Sequence, residues 1–189
     1  MLWCLTNAHY ERRISVSLSA SYSSTSLHVI SMLVSPQVRV AGLLIKQSGV
    51  EPEHIAILTP YNAQVLEIKM ILKKRHLANV SVCTIMKSQG SEWPYVILSA
   101  VRSCPISDIE SDRPSKAWLG KRLGFITDPN QVNVAITRAQ DGLVILGNST
   151  LLRCCELWKR LLDHYYKEHG VVNPASDIKV QNRMSAAKK

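Results

Sequence analysis

QVNVAITRAQDGLVILGN, residues 131–148, changes texture halfway along. Val132, Ala135, Ile136 and Ala139 fall at i, i+3, i+4 and i+7, the spacing of one buried helical face. GLVILGN, from Gly142, then reads as the apolar run of a buried strand. Arg138 stands between the two halves, well round the helix from the apolar stripe. Two readings of it follow. A helix can end in a cation because its dipole favours one there. Alternatively, the fold presents a guanidinium, a permanently charged planar fork that suits phosphate geometry.

The neighbouring sequence supplies the rest of a sheet. Asp128-Pro129 predicts a helix start, with Asp128 as N-cap and Pro129 at the first helical position. Ile55 to Leu58, residues 80–85 and residues 95–101 are three further apolar strand candidates. A helix from Pro36, with Val38, Gly42, Leu43 and Ile45 as an approximate stripe, stops at Gly49. A second helix, from Tyr61, has Val65, Ile68 and Leu72 as its seam and ends in Lys73, Lys74, Arg75 and His76. Ser149 is placed to cap a long helix with Leu151, Cys154, Cys155, Trp158, Leu161, Leu162 and Tyr165 on one face and Gly170 as its stop. From Cys104 to Pro129 the chain is polar and interrupted by proline, and reads as a surface loop carrying Arg113, Lys116, Lys121 and Arg122. Four short strands separated by helices or long connections predict an α/β fold, a mainly parallel sheet with helices on both faces.

The domain spans residues 36–170. Residues 1–35 are expected to be a poorly ordered serine-rich segment, and residues 171–189 a polar basic tail. The 189 residues suffice for one domain with a proper core. A net charge of +9 fits either an anionic partner, nucleic acid being the commonest, or simple surface solvation. The five cysteines are odd in number and form no C-x-x-C pair. They argue against a zinc site or a disulfide framework and for a reducing interior, cytoplasmic or nuclear. No apolar run approaches the roughly 20 residues that cross a bilayer, so no membrane partner is expected.

Some chemistry is missing from the sequence. No G-x-x-x-x-G-K-[ST] loop is present to cradle phosphates. No acidic pair ends an apolar strand to hold magnesium, and no nucleophile–base arrangement follows from spacing. No metal site is expected within the chain.

Three segments carry a resemblance when taken together: AILTPYNAQV (56–65), TIMKSQGSEWPYVILSAVRS (84–103) and GFITDPNQVNVAITRAQDGLVILGN (124–148). Their order and spacing resemble the second RecA-like domain of superfamily-one helicases. The branch they most resemble is that of the nonsense-mediated decay helicase and the helicases with zinc finger domains. The resemblance covers roughly Val38 to Tyr165. It implies a RecA-like, P-loop NTPase fold, in which a first domain holds ATP and magnesium and the second adds an arginine.

The family's site residues carry over to matching positions. Arg138 corresponds to the TRA arginine, which implies an arginine finger on the transferring phosphoryl group, a role worth about 10³–10⁵ in rate. Taken alone Arg138 reads as a helix-ending surface arginine; beside the other motifs the finger is the better reading. Asn133 is assigned to nucleotide or to the loop, with helix packing an equal alternative. Gly90 and Glu92, in the QGxE segment, are assigned to nucleotide, Glu92 as acceptor from the ribose or as a relay between the nucleotide and nucleic-acid sites; an ordinary turn with a solvated carboxylate is the other reading. Gln89, Thr137, Thr59, Tyr61 and Asn62 are assigned to nucleic acid. Thr59 and Asn62 would meet phosphates at a helix N-terminus, and Tyr61 would stack on a base. A helix cap with Tyr61 packed on its own helix is the other reading of TPY. Arg102 is counted with the QGxE segment.

The chain also departs from the family. Met86 stands where an aspartate is usual, Ser88 where an aromatic is usual, and Gln140 where a second arginine is common. The sequence therefore leads to two expectations. In the first, the chain is the second RecA-like domain of an ATP-dependent, RNA-directed helicase, present as a fragment or isoform inactive alone. It then needs single-stranded RNA or DNA, and ATP with magnesium held by a first RecA-like domain in cis or trans. In the second, it is a non-catalytic regulatory module that binds nucleic acid or protein.

Overall fold

The computed structural model describes residues 2–6, 26–100, 102, 109, 114–167 and 171–172, with side chains for residues 36–100, 102, 109 and 114–167. Its elements in chain order are β1 (Leu2–Thr6), α1 (Ser26–Ser48), β2 (Ile55–Thr59), α2 (Asn62–Lys74), β3 (Ser81–Thr84) and β4 (Trp93–Ser99). There follow α3 (Lys116–Leu123), α4 (Pro129–Ile136), β5 (Ala139–Leu146), α5 (Ser149–Leu152), α6 (Glu156–Lys167) and β6 (Val171–Val172). The expectation of poor order in residues 1–35 falls, for Met1 and residues 7–25, outside the described residues. So does the basic tail beyond Val172, and so does Gly170.

The sheet order is β3-β2-β4-β5-β1-β6. Strands β3, β2, β4 and β5 run parallel. β1 lies antiparallel on β5, and β6 antiparallel on β1. The fold is thus α/β and mainly parallel, consistent with a RecA-like sheet. Parallel strands buried on both faces are near-continuously apolar, and Ile55, Ala56, Ile57 and Leu58 are all fully buried.

Alternation along the strands divides the core. Ala56, Leu58, Val96, Leu98, Leu143 and Ile145 pack on one face with residues of α3 to α6. Ile55, Ile57, Val82, Ile97, Val144 and Leu146 pack on the other with α1 and α2. Period-two side chains on a central strand require a cover on each side.

Five local expectations are corrected. Helix α1 starts at Ser26 and holds Pro36 within it. Its buried stripe is Val38, Val40, Ala41 and Leu44, whereas Gly42, Leu43 and Ile45 are only partly buried. The expected loop from Cys104 contains α3, whose first turn is capped by Ser115, its side chain accepting from the Trp118 amide at 3.2 Å. The single long helix after β5 is two helices. Asn148, not Ser149, caps α5, its Oδ1 accepting from the Leu151 amide at 3.2 Å. The chain then tightens through Cys154 N–H to Leu151 O and Cys155 N–H to Leu152 O before α6 begins. That turn seats Trp158 in the core, its Nε1 donating to Ile126 O at 2.6 Å.

Candidate nucleotide and nucleic-acid edges

α4 is short, and its boundaries are those its caps dictate. Asp128 accepts from the Asn130 amide at 2.9 Å. Thr137 closes the other end, its N–H donating to Asn133 O at 3.1 Å and its Oγ1 to the same carbonyl at 2.8 Å. Helix ends leave carbonyls unmet, and Arg138 takes up another: its Nε donates to Val134 O at 3.0 Å. Nη2 donates to Thr137 Oγ1 at 2.9 Å and Nη1 to Ser91 O at 3.1 Å. The Arg138 carbonyl accepts from the Trp93 amide at 3.0 Å, which zips β5 onto β4. The arginine thus ends a helix, starts a strand and grips the neighbouring loop with one residue. It remains partly exposed.

That loop is the QGxE segment. The turn Met86–Ser88 carries the chain off β3. Ser88 is fully buried, with Oγ donating to Ile85 O at 2.7 Å, and Met86 is exposed. The Ser88 side chain thus turns back on its own turn. Gly90 has φ +82, a conformation that costs glycine nothing. Gln89, Gly90, Ser91 and Glu92 are all exposed. Glu92 Oε2 accepts from Gln140 Nε2 at 3.3 Å. Asn133 is exposed on α4. Gly90, Glu92, Asn133, Thr137 and Arg138 therefore gather where β4 and β5 begin.

Thr59, Tyr61 and Asn62 lie where β2 ends. β4 spans Trp93–Ser99, pairing with β2 from Tyr95 and with β5 through a register shift between Trp93 and Tyr95, so at about 3.3 Å per residue the two edges are roughly 20 Å apart. At this second edge Thr59 is fully buried and its hydroxyl donates to Gln64 Oε1. This departs from the expected surface contact with phosphate, because the hydroxyl is committed inside. Gln64 Nε2 donates onward to Ser99 Oγ at 3.2 Å, and Gln37 Nε2 donates to the same oxygen at 2.6 Å. The Gln37 amide oxygen is buried without a partner among the described residues. Thr59 Oγ1 also accepts from the Tyr61 amide at 3.4 Å, which fixes the turn into α2. Asn62 is exposed at the start of that helix.

Tyr61 is half-buried against partners distant in sequence, a third arrangement beside the two read from TPY. The Arg102 guanidinium lies 5.0 Å from its ring centroid, and Arg102 Nε donates to its hydroxyl at 3.0 Å. Phe125 stands 5.9 Å away at 58°. The sequence groups Arg102 with the QGxE segment, but β4 carries it to the opposite edge. Phe125 and the buried Gln37–Ser99–Gln64–Thr59 chain were not among the candidates. Phe125 had one signal, being the only phenylalanine in the chain, beside a glycine.

The edges suit different chemistry. Arg138 and Glu92 are a cation and a carboxylate at one rim, which fits contacts to a γ-phosphate and a ribose. Among the described residues no three His, Cys, Asp or Glu side chains assemble as a metal site. No described helix is long and apolar enough to cross a membrane.

The sequence model of the AAA domain matches residues 34–150. The human 3'-5' exoribonuclease HELZ2 is 51% identical over 150 residues, 79% of this chain and 5% of that protein. The Arabidopsis thaliana regulator of nonsense transcripts 1 homolog is 37% identical over 141 residues, 70% of this chain and 10% of that protein. The Saccharomyces cerevisiae ATP-dependent helicase NAM7 is 34% identical over 137 residues, 69% of this chain and 13% of that protein. The chain thus spans a small fraction of each relative's length.

Proposed function

This chain belongs to the AAA domain family of superfamily-one helicases, and from that premise we propose that it is the second RecA-like domain of an ATP-dependent, RNA-directed helicase. Arg138 serves as the arginine finger. Glu92 receives the ribose hydroxyls, with Gly90 giving the loop its close approach and Asn133 flanking it. Gln89, Thr137, Asn62 and the Tyr61 region contact the single strand. The phosphate loop and magnesium carboxylates come from a first RecA-like domain, since these 189 residues contain neither motif.

One observation carries the reading. The Arg138 guanidinium is held at the sheet rim by Ser91 O, Val134 O and Thr137 Oγ1, beside an exposed Glu92. A pre-positioned cation loses little freedom when it meets developing negative charge, and that preorganisation is where electrostatic catalysis gains most. ATP supplies the phosphoryl group; this chain's part is to bind, orient and neutralise.

The test adds the matching first RecA-like domain in trans and measures ATP hydrolysis with and without RNA. The wild-type pair is expected to turn over, and the pair with Arg138→Ala to fall by about 10³ or more. The isolated chain is expected to hydrolyse negligibly. Turnover by the isolated chain that survives Arg138→Ala refutes the assignment. Strand binding without any ATPase in the pair points instead to a non-catalytic module.

A further inference from the structure

The single phenylalanine of this chain is a surface residue. Phe125 is 57% exposed, in the turn Gly124–Thr127 that follows α3. Exposed aromatic rings are unremarkable singly, but this one is built in. Tyr61 backs it at 5.9 Å. Tyr61 is itself clamped, with Arg102 over its ring and bonded to its hydroxyl at 3.0 Å. Gly124 closes the assembly: a Cβ there would stand 2.7 Å from the Tyr61 hydroxyl, and its φ of +61 suits glycine. Three separate stretches of chain thus fix one outward-facing ring.

Among the described residues the surroundings are cationic. Arg102 is exposed, and so are Lys116 and Lys121 on α3, which runs directly into Gly124. Arg122 lies 5.8 Å from the Trp118 ring centroid on the same helix. The nearby carboxylate Asp128 is occupied as the α4 cap. The whole chain carries +9. A fixed ring among cations suits a strand with negative phosphates and exposed base faces better than it suits an apolar protein surface.

We propose that Phe125 is a stacking platform for an unpaired nucleobase of single-stranded nucleic acid. Tyr61 acts as its backing, and Arg102 and Lys121 neutralise the flanking phosphates. The proposal deepens the nucleic-acid part of the function above and rests on it. It moves base stacking from Tyr61, whose ring is already engaged, to Phe125.

The test uses the full chain and fluorescence anisotropy with a short labelled oligouridylate, alongside an abasic strand of equal length. Phe125→Leu is expected to bind oligouridylate about tenfold more weakly, within the range that base–aromatic stacking supplies, and the abasic strand unchanged. Phe125→Trp is expected to restore binding. Arg102→Gln is expected to weaken both strands and lower the salt slope by about one. A wild-type thermal midpoint for Phe125→Leu establishes that it folds. If Phe125→Leu binds oligouridylate as wild type does, the platform is wrong while strand binding stands. Failure of wild type to bind either strand at low salt removes both readings. Loss confined to association with a first RecA-like domain assigns the ring to a protein interface and overturns the proposal.

Discussion

Arg138 reaches from the end of α4 to the loop before β4, where its Nη1 donates to the Ser91 carbonyl at 3.1 Å. A second branch of the same fork bonds Thr137, and Nε bonds Val134. Lysine cannot serve three acceptors in those directions from one point charge. In the two-domain assay Arg138→Lys is therefore expected to lose most of the rate, approaching the roughly 10³-fold loss of Arg138→Ala. Either change should cost no more than about 1 kcal/mol of stability, since the group is partly exposed. Wild-type turnover by Arg138→Lys would show that the fork's placement is irrelevant to activity.

Ser99 is fully buried and accepts from both Gln37 and Gln64. Ser99→Ala strands two amide groups in the interior. An unsatisfied buried donor costs about 1–3 kcal/mol, so a loss of about 2 kcal/mol is expected. Urea unfolding should show a lower midpoint with an unchanged slope. An unaltered midpoint would mean that this chain of bonds does not stabilise the sheet edge.

Gly124→Ala meets two obstacles, a φ of +61 and the Tyr61 hydroxyl at 2.7 Å. A residue held in that region costs about 1–3 kcal/mol. Removing the hydroxyl with Tyr61→Phe should relieve the contact but not the backbone strain. The double variant is then more stable than the sum of the singles implies, by about 0.5 kcal/mol or more. Strict additivity in thermal melts would dismiss the close approach.

Burial lifts the Cys83 thiol above its ordinary value of 9.0, and the charges of Lys69 and Lys87 pull it partly back. A raised folded value means that the unfolded chain gives up this proton first. The associated stability is fully present below about pH 9 and is lost as pH rises through the folded value. Cys83→Ala should flatten that alkaline decline in a pH series of melts. Equal declines in the two proteins would show that Cys83 makes no contribution.

Much of the fold was legible because its signals are local. The continuous apolar run of Ile55 to Leu58, the Asp128-Pro129 start and the stop at Gly49 are decided within a few residues of themselves. The α3 helix was missed because its sequence is polar and follows a proline-rich stretch, and its Ser115 cap is an ordinary serine in such company. The break between α5 and α6 was missed because an apolar stripe continues across it, from Leu151 and Leu152 through Cys155 to Trp158.

By itself the sequence determined the kind of molecule: its four parallel strands but not β1 or β6, most of its helices, the family-like motifs and the arginine at the end of one helix. Only tertiary structure decided which of those motifs are neighbours. In a parallel sheet the residues before a strand and those after it lie at opposite rims, however continuous the motif looks in one dimension. Glu92 and Arg102 are ten residues apart in one quoted segment, yet Glu92 meets Gln140 and Arg102 meets Tyr61, 41 residues away. Strand direction and register bring such distant partners together, and neither is written in any one stretch of chain.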